Sequence, residues 1–258
     1  MPKPAVMVNA CGRALRRSMP ALAATAALAV LGGTAYAGYR FVTTSPRFAI
    51  TAITVSGNHR LTADQIRAAT GLTLGDNVFA AQLDRASTGV RSNPWIADVD
   101  IHRVLPHTIA VEVHERDAAA VVELGGLYLV DSDGHPFKRL DDSDGAGLPV
   151  ITGIDRATPE DAVAGLVRSA LQARALWSAV AGRPTIGEIH LGAHGSLTLE
   201  TYDAAIAIDL GAIDGALQAR MDTFDAAWAQ LTDSQRARAR AIHVAQRLDQ
   251  VTVALKEP

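Results

Sequence analysis

The alternation of apolar and polar residues predicts a first strand from Arg47 to Ser56, with Phe48 on one face and Ile50, Ile53 and Val55 adding apolar weight. Gly57-Asn58 breaks that run as a turn does. Thr62-Ala-Asp-Gln65 has the Ser/Thr-x-x-Glu/Gln spacing of a capping box, so a helix starts there and stops at Gly71. Gly75-Asp76-Asn77 is a second turn. A second helix is expected from about Ala80 to Val90, with Leu83, Ala86 and Val90 on its inner face. Asn93-Pro94 ends it, because a residue before proline is pushed out of helical geometry. Trp95 to Arg103 and Thr108 to Glu115 then alternate as two strands around a turn at Leu105-Pro106. The predicted order is β-α-α-β-β.

The pattern changes after Arg116. Leu127 to Val130 and His135 to Lys138 read as a hairpin around Asp131-Ser-Asp-Gly134. Asp141 to Gly147 is an acidic loop. Thr158-Pro-Glu-Asp161 opens a long helix with threonine as its cap and proline in its first turn, running to about Val180. Three short strands follow, Ile186 to Leu191, Ser196 to Thr201 and Ala205 to Leu210. Asp214 to Leu231 is a further helix, with Leu217, Met221, Phe224 and Trp228 three or four apart. Arg240 to Ala245 and Gln250 to Leu255 read as the last strands. The expected class is α+β, with helices laid on an antiparallel sheet in this second region.

Charge adds a third part. Met19 to Tyr39 carries no charge, and Lys3, Arg13, Arg16 and Arg17 precede it. About 20 apolar residues cross a bilayer core as helix. Basic residues ahead of the run keep the amino terminus in the cytoplasm and send the body out. Residues 1–18 read as a disordered cytoplasmic tail and 19–42 as a transmembrane helix. Ala35-Tyr-Ala37 also fits a signal cleavage site; the length of the run favours the anchor, and both readings export the body. No acid occurs before Thr44, so the remainder is distinctly acidic, which argues against nucleic acid as a ligand. The single cysteine, Cys11, permits no internal disulfide.

Motifs for catalysis are missing: no Gly-x-Ser-x-Gly, no His-Glu-x-x-His and no Gly-Lys-Ser/Thr. His190 and His194 lie four residues apart on strand-like sequence, about 13 Å, too far to share a metal ion. Asp131, Asp133, Asp141, Asp142 and Asp144 lack the closing glutamate of a calcium loop and suit turns better. The expectation is a chain that is not an enzyme, with no cofactor, no metal and no small-molecule substrate. Function then falls to surfaces, where Arg103 and Arg116 near strand ends are candidate partner contacts.

Six stretches together resemble the POTRA domain of the FtsQ/DivIB cell-division family: Ile53-Thr-Val-Ser-Gly-Asn58, Gly71-Leu-Thr-Leu-Gly75, Asn93-Pro-Trp-Ile96, Val99-Asp-Ile-His-Arg103, Leu105-Pro106 and Val111-Glu-Val-His-Glu-Arg116. Leu129-Val-Asp-Ser-Asp-Gly134 and Leu148-Pro-Val-Ile-Thr-Gly153 resemble the domain that follows it in that family. The resemblance implies a POTRA domain over 47–116 and a β domain over 117–256. It also implies a single-pass inner-membrane protein concentrated at the septum, acting as a scaffold between early division proteins and the septal peptidoglycan synthases. Its partners would be FtsB- and FtsL-like coiled coils, docked on the last strand of the second domain. By position the contacts are Ile242, Val244, Arg247, Gln250, Val251, Thr252, Val253 and Leu255, with His194 and Arg116 nearby. The family often has Val-Asp-Leu-Arg where this chain has Ile242-His-Val-Ala245, so Arg247, two positions on, stands in for the arginine. A POTRA-containing component of outer-membrane assembly or secretion is the alternative.

Overall fold

The computed structural model describes residues 5–144, 147–192, 195–244 and 250–256, with side chains described from residue 23 onward. The chain divides into two compact units, Met1–Glu115 and Arg116–Pro258.

The first unit opens with a 40-residue helix, α1 (Ala5–Thr44). It begins inside the stretch expected to be a disordered tail. Ala5 to Met19 holds no proline, and its three alanines and three arginines are good helix formers that outweigh the single Gly12. Among the described residues no helix is long and apolar enough to cross a membrane. A short 3-10 turn, Pro46–Phe48, follows. The first strand, β1 (Ala52–Ser56), is shorter than the alternation from Arg47 predicts. Residues 48 to 50 are held by a loop instead: the Ile50 N–H donates to the Asp76 carbonyl at 2.7 Å, and the Val78 N–H to the Phe48 carbonyl at 2.7 Å.

Helix α2 (Ala63–Thr70) has both halves of the predicted capping box, and Gly71 ends it in the left-handed region at φ 63°. Helix α3 (Leu83–Arg91) starts later than expected. The Ala80 and Ala81 N–H groups close a turn on the Asn77 carbonyl instead of extending the helix. Strands β2 (Ile96–Val104) and β3 (Thr108–Glu115) complete a three-stranded sheet of order β1-β3-β2. β3 runs parallel to β1 and antiparallel to β2. Ile53, Val99, Ile109, Val111 and Val113 meet Ile66 of α2 and Val90 of α3 in one core.

The second unit holds β4 (Ala120–Glu123), β5 (Leu127–Val130), β6 (Pro136–Arg139), β7 (Val150–Thr152), α4 (Glu160–Ser178), β8 (Ile186–Leu191) and β9 (Ser196–Thr201). Then come β10 (Ala207–Ala212), α5 (Leu217–Gln230), α6 (Asp233–Arg238), β11 (Ala239–Val244) and β12 (Val251–Leu255). The strands form one nine-stranded sheet of order β12-β11-β10-β9-β8-β7-β4-β5-β6. It is mixed, which corrects the antiparallel expectation: β4 and β7, β7 and β8, and β10 and β11 pair in parallel. Parallel neighbours need a crossover. Helix α4 supplies one between β7 and β8, and α5 with α6 another between β10 and β11.

Helix α4 enters one residue later than its threonine cap predicts. Pro159 occupies the cap position, where its ring has no oxygen to accept a helix N–H, and the Thr158 N–H turns back to the Asp155 carbonyl at 2.9 Å. One row of aligned residues crosses the sheet: Ile151, Ile189, Leu199, Ile208, Ile242 and Val253. Val163, Val167, Ala170 and Trp177 of α4, with Leu217, Met221 and Phe224 of α5, share one core with it. Full burial of such a side chain contributes about 1.5–3 kcal/mol. Arg183 joins the helices: Nε and Nη2 donate to the two carboxylate oxygens of Asp225 at 2.8 Å, and Nη1 donates to the carbonyls of Leu176 and Trp177 at the end of α4.

Candidate strand-docking edge

The next row of aligned residues is polar: Thr152, His190, Thr198, Asp209, His243 and Thr252. Side chains alternate between sheet faces, so this row lies opposite the helices. His190 Nδ1 is 2.9 Å from the Thr152 hydroxyl, which donates to Glu188 at 2.7 Å. His243 Nδ1 is 3.3 Å from Asp209. This face therefore has polar groups that hold one another.

β12 forms one border of the sheet. It pairs with β11 alone among the described residues, Val244 opposite Val251 and Ile242 opposite Val253. The Lys256 N–H donates inward to the Arg238 carbonyl at 2.7 Å. Strand N–H groups alternate in direction, so those of Thr252 and Ala254 also point inward and those of Val251, Val253 and Leu255 point outward. Val251 and Val253 pack on the core from the inner face. Thr252 and Leu255 are exposed, as is Gln250 just before the strand.

The predicted contact set is thus split. Gln250, Val251, Thr252, Val253 and Leu255 lie together on or beside the border strand. Ile242 and Val244 do not: they are buried in β11, where Ile242 pairs with Ile208 on one side and Val253 on the other and Val244 pairs with Val251. Arg247 and His194 lie outside the described residues. Arg116 is not a waiting cation either. It donates to Asp131 at 2.9 Å and lies 5.7 Å over the Phe137 ring. Arg103 likewise is spent at home, donating to the Val78 and Ala81 carbonyls at 2.8 Å. Both pairings join residues distant in sequence, which is why no local pattern announces them.

One residue was passed over. Arg240 sits at the bulge where β11 gains a residue between Ala239, opposite Leu255, and Ala241, opposite Ala254. It is exposed and makes no ion pair among the described residues. The signal was the mismatch in Ala239-Arg-Ala-Ile-His-Val244, whose buried positions, Ala239, Ile242 and Val244, break strict alternation. Three of the five candidate calcium acids are occupied by protein groups. Asp131 holds Arg116 and the N–H groups of Asp133 and His135, while Asp141 and Asp144 both hold Lys138.

Residues 48–116 match the family model for the POTRA domain, FtsQ-type. Residues 119–251 match the model for Cell division protein FtsQ/DivIB, C-terminal. The chain is 36% identical over 238 residues to the cell division protein FtsQ of Anaeromyxobacter sp. (strain K), covering 90% of this chain and 80% of that protein. It is 29% identical over 205 residues to the FtsQ of Geotalea daltonii, 78% of this chain and 74% of that protein. With the FtsQ of Syntrophotalea carbinolica identity is 37% over 145 residues, 55% of this chain and 51% of that protein.

Proposed function

The chain belongs to the FtsQ/DivIB family of cell-division proteins, and from that premise we propose that it is a non-catalytic scaffold of the septal ring. Residues 1–18 stay in the cytoplasm, residues 19–42 cross the inner membrane within α1, and the POTRA domain over 47–116 and the β domain over 117–256 lie in the periplasm. Two features support the anchor. Leu28, Val30, Leu31, Tyr36 and Tyr39 are all exposed around the helix. The hydroxyls of Thr34, Thr43 and Thr44 donate to carbonyls one turn back, Val30, Tyr39 and Arg40, which satisfies them without water.

The border strand β12 is the observation that carries the scaffold reading. A strand with one neighbour offers outward N–H and C=O groups, and an incoming segment pairs with them. The partners are FtsB- and FtsL-like coiled-coil proteins, through which the septal peptidoglycan synthases are held. Arg240 at the bulge, exposed beside the border, suits an acidic residue on the incoming strand.

The test is Val253→Pro in the full-length protein. It removes one outward donor and leaves the inward ladder bonds in place. Capture of FtsB- and FtsL-like proteins from detergent-solubilised membranes should fall about tenfold or more, equivalent to about 1.4 kcal/mol. The circular dichroism melt should fall by only a few degrees, from the lost half-buried side chain. Undiminished capture by a folded variant defeats strand docking at this border.

A further inference from the structure

Outside α1, the described residues of the first unit carry four exposed large apolar side chains, and these lie at one end. Leu74 is 61% exposed, Phe79 37%, Val104 46% and Leu105 57%. They come from two separate loops, the turn between α2 and α3 and the β2–β3 hairpin tip. Backbone bonds and one side-chain amide place both beside the exit of α1. The Gly75 N–H donates to the Ile50 carbonyl at 2.9 Å, and Asn77 Nδ2 donates to the Val42 carbonyl at 2.8 Å, inside the last turn of α1. On the hairpin side, the Thr51 N–H donates to the His107 carbonyl at 2.8 Å, and Ala52 pairs with Thr108. Arg103 locks the two loops to each other through the Val78 and Ala81 carbonyls. The Phe79 ring is further fixed edge-on to Phe48, with centroids 5.1 Å apart.

We propose that this end of the POTRA domain is a bilayer-seated platform, with Leu74, Phe79, Val104 and Leu105 entering the outer-leaflet interface around the helix that leaves it. The proposal rests on the anchor reading above. Three features select lipid over a protein partner. The platform continues the apolar surface of α1, whose Tyr39 and Phe41 are exposed at the same end, where aromatic rings suit a headgroup layer. Its apolar residues sit at loop tips, which suits shallow insertion more than the flat core of a protein interface. Arg40 and Arg47 flank the exit, exposed and without an ion pair among the described residues, as attraction to anionic headgroups requires. The platform also fixes the domain against the membrane, since two bonded loops and a helix hold an orientation that a helix and a free linker do not.

The experiment uses the full-length protein with Cys11→Ser, reconstituted into phosphatidylcholine–phosphatidylglycerol vesicles. Single labelling sites are made by Leu74→Cys, Leu105→Cys, Val30→Cys and His59→Cys, and each carries a polarity-sensitive fluorophore. His59 is the control because it lies beyond the far end of β1. Lipids with a nitroxide near the glycerol should quench the Leu74 and Leu105 probes severalfold more than the His59 probe, and removal of phosphatidylglycerol should lessen the difference. Quenching at Val30 with none at Leu74 and Leu105 overturns the platform and leaves the anchor standing. Val30, at the middle of the span, is read with a nitroxide at the end of the acyl chain, and no quenching there overturns the anchor, and the platform with it. Equal quenching at His59 and Leu105 overturns the platform as well, since the domain then lies on the bilayer with no preferred end. Protection of Leu74 and Leu105 only when partner proteins are co-reconstituted assigns the patch to protein and overturns the lipid assignment.

Discussion

The nine-stranded sheet has two borders built on opposite principles. β6 is four residues long and starts with Pro136, which cannot donate. Its Lys138 is pinned by Asp141 and Asp144, the latter buried, so the strand carries charge at its centre. β12 has no proline and no charge from Val251 to Leu255. Its flat outward side has only alternating valine, threonine, alanine and leucine. A sheet border with unpaired backbone groups invites pairing, and proteins that do not use a border blunt it with proline, charge or brevity. Among the described residues the same chain defends one border and leaves the other open, and the strand-docking proposal rests on that contrast.

Four measurements probe that contrast. The largest effect is expected just inside the open border. Ile242→Ala removes a fully buried side chain from β11 and should lower the stability of the second unit by about 2–5 kcal/mol in urea unfolding followed by circular dichroism. Gly153→Ala comes next. Its φ is 84°, and a Cβ there would lie 2.1 Å from the Leu191 carbonyl oxygen, so about 1–3 kcal/mol should be lost where the interior strand β7 meets β8. Val253→Ala, half-buried on the border, should cost only about 1 kcal/mol. If it matched Ile242→Ala, the border would be core and the comparison would fail.

The smallest expected effects are acid-dependent. At the defended border the Asp141 carboxyl is held well below the usual carboxylate range, chiefly by the Lys138 ammonium and then by the Ser143 hydroxyl and N–H. A lowered folded pKa means that the contribution is full above the unfolded value of about 3.9 and is lost as pH falls through the folded one. Partial burial would lower the Lys138 pKa, but its bonds to both aspartates outweigh that and raise it. Its contribution is therefore full below the unfolded value of about 10.4 and is lost as pH rises through the folded one. A Lys138→Met variant should flatten the acid limb of the second unit's stability profile and leave partner capture at β12 unchanged.

In the first unit, partial burial would raise the Glu115 pKa. The N–H groups of Arg60, Leu61 and His59 bond its carboxylate and bring it below the ordinary value instead. Its stabilisation is also lost on acidification, through the folded pKa. Glu115→Gln keeps one acceptor and should cost about 1 kcal/mol by thermal melt.

Much of this was legible locally. The Thr62–Gln65 box, the Gly71 stop and strand β3 follow from spacing alone, because a cap or an alternation is complete within a few residues. The second capping box, Thr232 to Gln235, has the same spacing and was overlooked, so α6 went unpredicted. The uses of Arg103 and Arg116 were illegible for a different reason. Their acceptors lie 15 to 25 residues away, and a charged side chain near a strand end looks the same whether it meets solvent, a partner or its own loop.

The two terminal strands show where local information stops. Ile242 to Val244 and Val251 to Leu255 both read as strands of similar apolar character, and nothing in either says which is the border. By itself the sequence determined most of the elements and the charge-free run after the basic start, since propensity, capping and patterning act over single turns of chain, and its motifs carried the membership of a division family. Tertiary structure alone decided that the sheet is mixed, that β11 is enclosed while β12 faces outward, and that Arg103 ties two loops with exposed apolar residues to each other. Those outcomes depend on which strand a crossover helix delivers beside which, and that is settled only when the whole apolar row is buried at once.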